Sequence, residues 1–388
     1  MSELSSNIWK LYVYRAFASM EFFLPVFVIF LLDNSLSITQ IMILQSWYYI
    51  TILALEIPTG AFADRHGRKN AIMISAIIIF IACFVYASGH SFIGFFAAET
   101  LWAVGFSFWS GADTAFLYDT LKGLGRENEF KKAYGTYNSI SLVFYGIASV
   151  IGGFLVVYGL RFPFYLSLIP FGIAIIFPLT LKEPQLFRKV KIKYWNHIKE
   201  AVKYTAKHSW LRFIIFYAAI IAIMEESAFF LYQPYFRQIG VPLTSFGIIF
   251  TAILLALALG SKLAHRIEPK LGEKTTMLGA LLVCAAALLI ISRAASFYVI
   301  APVLVLQFTI GLLNPVLLSY MQHHIESYRR ATILSLKNMS QSLSIAVLMP
   351  VFGAIADYWS IQSAYMISGI MIAAYFVVLA VVFLVFRR

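Results

Sequence analysis

The chain has 388 residues, of which 61% are hydrophobic and only 12% charged, and its formal net charge is +12. Water-soluble domains carry about 25% charged residues, so this balance excludes a soluble globular protein. The basic excess does not point to nucleic acid, because it is confined to short stretches between apolar runs, where membrane proteins hold their cytoplasmic lysines and arginines. Cys83 and Cys284 both fall inside apolar runs, which argues against a structural disulfide, and two cysteines make no metal site.

The apolar runs predict an all-α membrane protein with twelve transmembrane helices, at roughly 9–32, 39–62, 70–89, 92–118, 135–158, 162–181, 211–236, 243–264, 275–292, 296–320, 332–357 and 361–386. The first run has no small-residue cleavage site, so it reads as a span and not as a removed signal. With the N-terminus inside, nearly all loop lysines and arginines fall on the cytoplasmic side, and only Arg161, Arg237 and Arg293 fall outside. An odd number of helices would scatter this pattern. The expectation is therefore a plasma (inner) membrane protein with both termini cytoplasmic.

One connection is long. The segment 182–210 alternates basic residues with Phe187, Trp195 and Ile198, as an amphipathic stretch on the anionic inner leaflet would. It separates an N-terminal bundle, 1–181, from a C-terminal bundle, 211–388. Shifting the chain by 200 residues sets Gly60 on Gly260, Gly153 on Gly353 and Tyr165 on Tyr365, as two related six-helix halves would require.

Between the second and third runs lies Gly60-Ala61-Phe62-Ala63-Asp64-Arg65-His66-Gly67-Arg68-Lys69. Gly60 can admit a neighbouring helix, Asp64 can cap the third span, and Gly67 permits a backbone that a side chain would oppose. Arg65, Arg68 and Lys69 can reach acidic groups or lipid phosphates. The stretch resembles the loop-2/3 motif of the major facilitator superfamily, G-x-x-x-D-[R/K]-x-G-[R/K]-[R/K], at every specified position. The resemblance implies two pseudo-symmetric six-helix halves with substrate bound between them. It also implies a conformational gate in which Arg68 pairs with Asp119. In the second half the motif has decayed, with Ala264 opposite Asp64 and Glu268 opposite Arg68. Gly146, Gly152 and Gly153 partly match the antiporter motif of drug-exporting members, although Ala148 and Ser149 replace its Gly-Pro. The family's proton-linked arginine would stand near position 101, where this chain has Leu101.

Ionisable groups at membrane depth are costly and are usually paired or functional. Arg15, Glu56, Asp113 and Lys337 all lie about 8–9 Å from the cytoplasmic ends of their helices, as one compensated network would. Glu21, Glu225 and Glu226 sit near the midplane and Glu99 in the outer half, with no basic residue expected at their depth. Each is either a neutral carboxyl bonded to a neighbouring helix or a carrier of protons or cations. Gln307, Asn314, Asn338 and Gln341 offer neutral contacts to substrate or between helices. Phe23, Phe27, Trp102 and other rings could line a cavity for flat or cationic molecules.

No phosphate-binding loop, catalytic triad or metal-ligand set is present, so no cofactor and no enzymatic activity are expected. The reading is a monomeric secondary transporter working by alternating access, with protons, a small-molecule substrate and membrane lipids as its partners. Its most direct form is proton-coupled export of lipophilic or cationic compounds. Nutrient uptake, lipid flipping and membrane sensing are the alternatives.

Overall fold

The structure, a computed structural model, describes residues 4–184, 202–325 and 330–385; the middle of the basic connection lies outside the described residues. No strand occurs among the described residues, and the helices form two compact units. The first holds α1 (Ser6–Ala18), α2 (Phe27–Asp33), α3 (Ile38–His66), α4 (Arg68–Ser88), α5 (Phe92–Trp109), α6 (Ala112–Gly123), α7 (Phe130–Leu155) and α8 (Phe162–Thr180). The second holds α9 (Ser209–Gln238), α10 (Phe246–Leu271), α11 (Glu273–Arg293), α12 (Ile300–His324), α13 (Arg330–Tyr358) and α14 (Ile361–Val385). Two short stretches are exceptions: Ser37–Ile43, at the start of α3, packs within the second unit, and Leu243–Ile248 packs within the first.

Among the described residues, eleven helical stretches are long and apolar enough to cross a bilayer. The expected first span is the exception, because it is interrupted. α1 stops at Ala18 and a single turn, Leu24–Val26, precedes α2. Pro25 in that turn has no N–H to continue a ladder. The Phe22 N–H turns aside to Ser167 Oγ at 3.1 Å. The expected fourth span is also two pieces. α5 ends at Trp109, Ser110 leaves the helical conformation at ψ 117, and Gly111 takes φ +80 before α6. Pro58, by contrast, is carried inside α3. There the Thr59 hydroxyl donates to Leu55 O at 2.8 Å, beside the carbonyl that a proline cannot bond.

The core of the first unit is aromatic. Phe164 on α8 lies between Phe23 and Phe30, each 4.4 Å away by ring centroid, and Trp102 meets Phe23 edge-on at 5.7 Å. Phe23 and Phe27 thus pack each other and Phe164, and Trp102 packs Phe23; Phe23 and Phe27 are buried. Cys83 and Cys284 are free, buried thiols, one in each unit.

The structure corrects two sequence expectations. Nothing lies within 4 Å of where a Cβ at Gly60 would sit, so no neighbour approaches that glycine. The repeat also changes register at the loop. Gly67 (φ 100) precedes α4 as Gly272 (φ 78) precedes α11, an offset of 205 residues and not 200. α10 runs eleven residues past Gly260, whereas α3 runs six past Gly60. Arg68 therefore corresponds to Glu273, Lys69 to Lys274 and Asp64 to Pro269. A glycine forced into positive φ anchors the comparison better than identities along a helix.

Gly152 on α7 is required by the broken first span. A Cβ there would stand 1.8 Å from Phe22 O, a backbone atom that has no room to yield. Gly135, on the same helix, has nothing within 4 Å. Gly152→Ala should cost about 1–3 kcal/mol, as overpacking does. Gly135→Ala should be neutral or slightly stabilising. Thermal unfolding of the two detergent-purified variants checks this; equal melting temperatures would show that α7 does not hold the break.

Candidate functional site

The turn between α3 and α4 is built on Gly67, whose φ 100, ψ 144 reverses the chain in one residue. This places Arg68 at the first position of α4, where its side chain pairs with Asp119 on α6 and donates to Ala115 O at 2.7 Å. The N-terminus of α4 is not capped by Asp64, which is exposed on the last turn of α3. Glu183, just past the end of α8, caps it instead. Its two oxygens accept from the backbone N–H groups of Arg68 at 2.9 Å and Lys69 at 2.8 Å. A carboxylate across two consecutive N–H groups is favoured by the helix dipole. Partial burial nonetheless pushes the Glu183 carboxyl above its ordinary value, against the lowering from these bonds.

Further contacts tie this corner together. Lys69 Nζ donates to Leu179 O at 3.0 Å. Asn7 makes a reciprocal pair with the Lys182 backbone, at 2.7 and 2.9 Å, joining the start of α1 to the end of α8. Arg65 is exposed.

Deeper in the first unit, Glu21 sits in the gap between α1 and α2. Its Oε1 accepts from Tyr145 Oη at 2.9 Å, and Ser19 and Ser141 hydroxyls meet at 2.9 Å beside it. Arg15, one turn before the end of α1, lays its guanidinium over Trp109 at 4.5 Å and Tyr137 at 5.3 Å. Tyr137 Oη donates to Asp113 Oδ2 at 2.6 Å. Arg15 and Asp113 are therefore linked through a shared tyrosine and not by a direct ion pair. Glu56 lies exposed on α3, and Lys337 is in the second unit. Of the four expected network members, the structure gathers Arg15 and Asp113. Glu99 is buried on α5 against Gln45 of α3.

In the second unit, Glu225 and Glu226 are partly buried on α9. Gln307 of α12 donates to Tyr232 Oη at 3.4 Å, and Gln341 of α13 donates to Ala218 O at 3.1 Å, so both are bound to α9. Asn314 and Asn338 are exposed. Sequence reasoning missed Glu183, Tyr137 and Tyr145. Only Glu183 had a visible signal, as an acid beside Pro184 at the end of an apolar run.

Two helical units of long apolar helices, with an Arg–Asp pair at a glycine turn, define a polytopic α-helical membrane protein. The model of the Major Facilitator Superfamily matches residues 14–336 and 215–388, and the chain belongs to that family. An uncharacterized MFS-type transporter, YxaM, of Bacillus subtilis (strain 168) is 24% identical over 64% of this chain and 64% of its own length. Multidrug resistance protein 2 of the same organism is 24% identical over 68% of this chain and 66% of its own. Those two alignments span just under two thirds of the relatives. The crystal structure of a single-substitution mutant of the nucleoside transporter NupG superposes with a TM-score of 0.83, covering 99% of this chain and 100% of that one at 14% identity. That likeness shows the fold.

Removing the Glu183 cap tests the corner. Glu183→Ala should cost about 1–2 kcal/mol in thermal unfolding, the range for a lost N-cap. Glu183→Gln, which keeps one acceptor, should cost less. An unshifted melting temperature in Glu183→Ala would show that water replaces the carboxylate without loss.

Proposed function

We propose that this protein is a secondary transporter working by alternating access, and that it exports small lipophilic or cationic compounds in exchange for protons. The observation that carries the reading is Glu21, a carboxyl placed in the gap of a broken membrane helix with a neutral hydroxyl, Tyr145, as its hydrogen-bond donor. Discontinuous helices at membrane depth are where transporters place substrate and coupling-ion sites, because free backbone groups gather there. A carboxyl so placed can take a proton or face a cationic solute, but not both at full strength. That is the requirement of exchange.

The relative named Multidrug resistance protein 2 supports export of this substrate class. Glu225 on α9, with Gln341 bonded to the same helix, supplies a second polar locus in the other unit. The protein acts as a monomer in the plasma membrane, with its termini and the Gly60–Lys69 loop on the cytoplasmic side.

The test is proton movement in proteoliposomes, followed with a pH-sensitive dye while lipophilic cations such as tetraphenylphosphonium are added. As the cation crosses in one direction, protons should cross in the other and appear on the side to which the cation was added. Glu21→Gln should reduce that movement at least about tenfold, the equivalent of 1.4 kcal/mol, while the variant still folds. Solute flux without proton flux would replace the reading with facilitated diffusion. Proton flux running with the solute would replace export by uptake.

A further inference from the structure

A guanidinium carries its N–H donors in one rigid plane. Among the described residues, that of Arg15 donates no hydrogen bond and forms no ion pair; its Nε is buried without a partner, while the side chain as a whole stays partly open. Stacking holds it instead, over Trp109 at 4.5 Å and Tyr137 at 5.3 Å. Those rings are themselves tied down. Trp109 Nε1 donates to Tyr137 Oη at 3.4 Å, and Tyr137 Oη donates to Asp113 Oδ2 at 2.6 Å. Contacts across the face of a guanidinium leave its N–H edge unused. Asp113 does not take that edge either. Its Oδ1 accepts from the Thr114 N–H at 2.6 Å and the Thr114 hydroxyl at 3.2 Å. It also sits in the first turn of α6, where the helix dipole favours an acid. Asp113 therefore offsets the positive charge from behind Tyr137 and leaves the fork of N–H groups open.

We propose that Arg15 is an anion-binding residue, gripping the carboxylate of a small aromatic acid with its guanidinium fork. Open donors at membrane depth are costly, and they point to a ligand that brings acceptors. A carboxylate matches the fork with two parallel N–H···O bonds. Because stacking has already fixed the guanidinium plane, little ordering is left for the ligand to bring about. The aromatic part of the class comes from the rings that continue away from the site. Phe106 lies 5.2 Å from Trp109, and Tyr48 lies 6.0 Å from Phe106; all three are partly exposed. An apolar body beside the guanidinium therefore meets ring surface. Asp113 repels an arriving anion less than a bare carboxylate would, since Tyr137, Thr114 and the start of α6 already hold its charge. All of these residues belong to the first unit. The proposal adds a ligand class to the export reading and uses neither Glu21 nor proton movement, so the two stand or fall separately.

The test is equilibrium binding of radiolabelled naphthoate to the full-length protein in detergent, with no proton gradient present. Naphthoate should bind, and the neutral naphthylmethanol should bind at least about tenfold more weakly. Arg15→Gln should weaken naphthoate binding about a hundredfold, because two charge-assisted bonds are lost, and should leave naphthylmethanol binding unchanged. Arg15→Lys keeps the charge and loses the fork. It should weaken naphthoate binding about tenfold, and it decides the matter if Arg15→Gln does not fold. No binding to the unaltered protein would overturn the proposal, as would equal naphthoate binding in the protein and its Arg15 variants. Displacement of naphthoate by phosphatidylglycerol but not by benzoate would make the fork a lipid-phosphate site and overturn the small-acid assignment. Naphthoate binding that depends on Arg15, in a protein that moves no protons, would count only against the export reading.

Discussion

A helix must find acceptors outside itself for its first backbone N–H groups, since the helix has no carbonyls to offer them. Much of the polar structure here answers that constraint. Glu183 spans Arg68 and Lys69 at the start of α4; Asp357 spans Ile38 and Thr39 at the start of α3. Both are side chains from distant parts of the chain, each taking two consecutive N–H groups. The same need explains Ser167, which accepts the Phe22 N–H where the first span breaks.

The break itself shows how glycine, serine and acid act together. Gly152 lets α7 reach the Phe22 backbone, Ser141 meets Ser19, and Tyr145 meets Glu21. Only the last of these three contacts involves an ionisable acid. The one carboxyl they enclose stands where the helix has surrendered its own hydrogen bonds. Arg15 stacks on Trp109 and Tyr137.

Fold class was legible because it depends on averages: run length, charge placement and one glycine-centred loop. The Arg68–Asp119 pair was legible through its motif. Glu183 was not, because its cap joins positions over 110 residues apart and only the folded chain brings them together. The break in the first span lies at Ser19–Phe23, several residues before Pro25, and its deciding partners lie on α7 and α8, far away in the sequence. The repeat offset slipped at the loop because identities within helices fix register only modulo the turns that follow. Gly67 and Gly272, compelled by backbone geometry, fixed it. Gln307 and Gln341 illustrate the ambiguity of neutral amides, since each is engaged by α9.

Mechanically, α3 resembles a beam clamped near both ends with a joint close to one of them. Pro58 removes a hydrogen bond two turns before His66, leaving the last stretch less stiff than the run from Ile38. Force applied at the Asp357 end travels along the rigid portion, and the compliant portion absorbs part of it before the glycine turn. Slack at the joint means that a displacement at one clamp is passed only in part to the other.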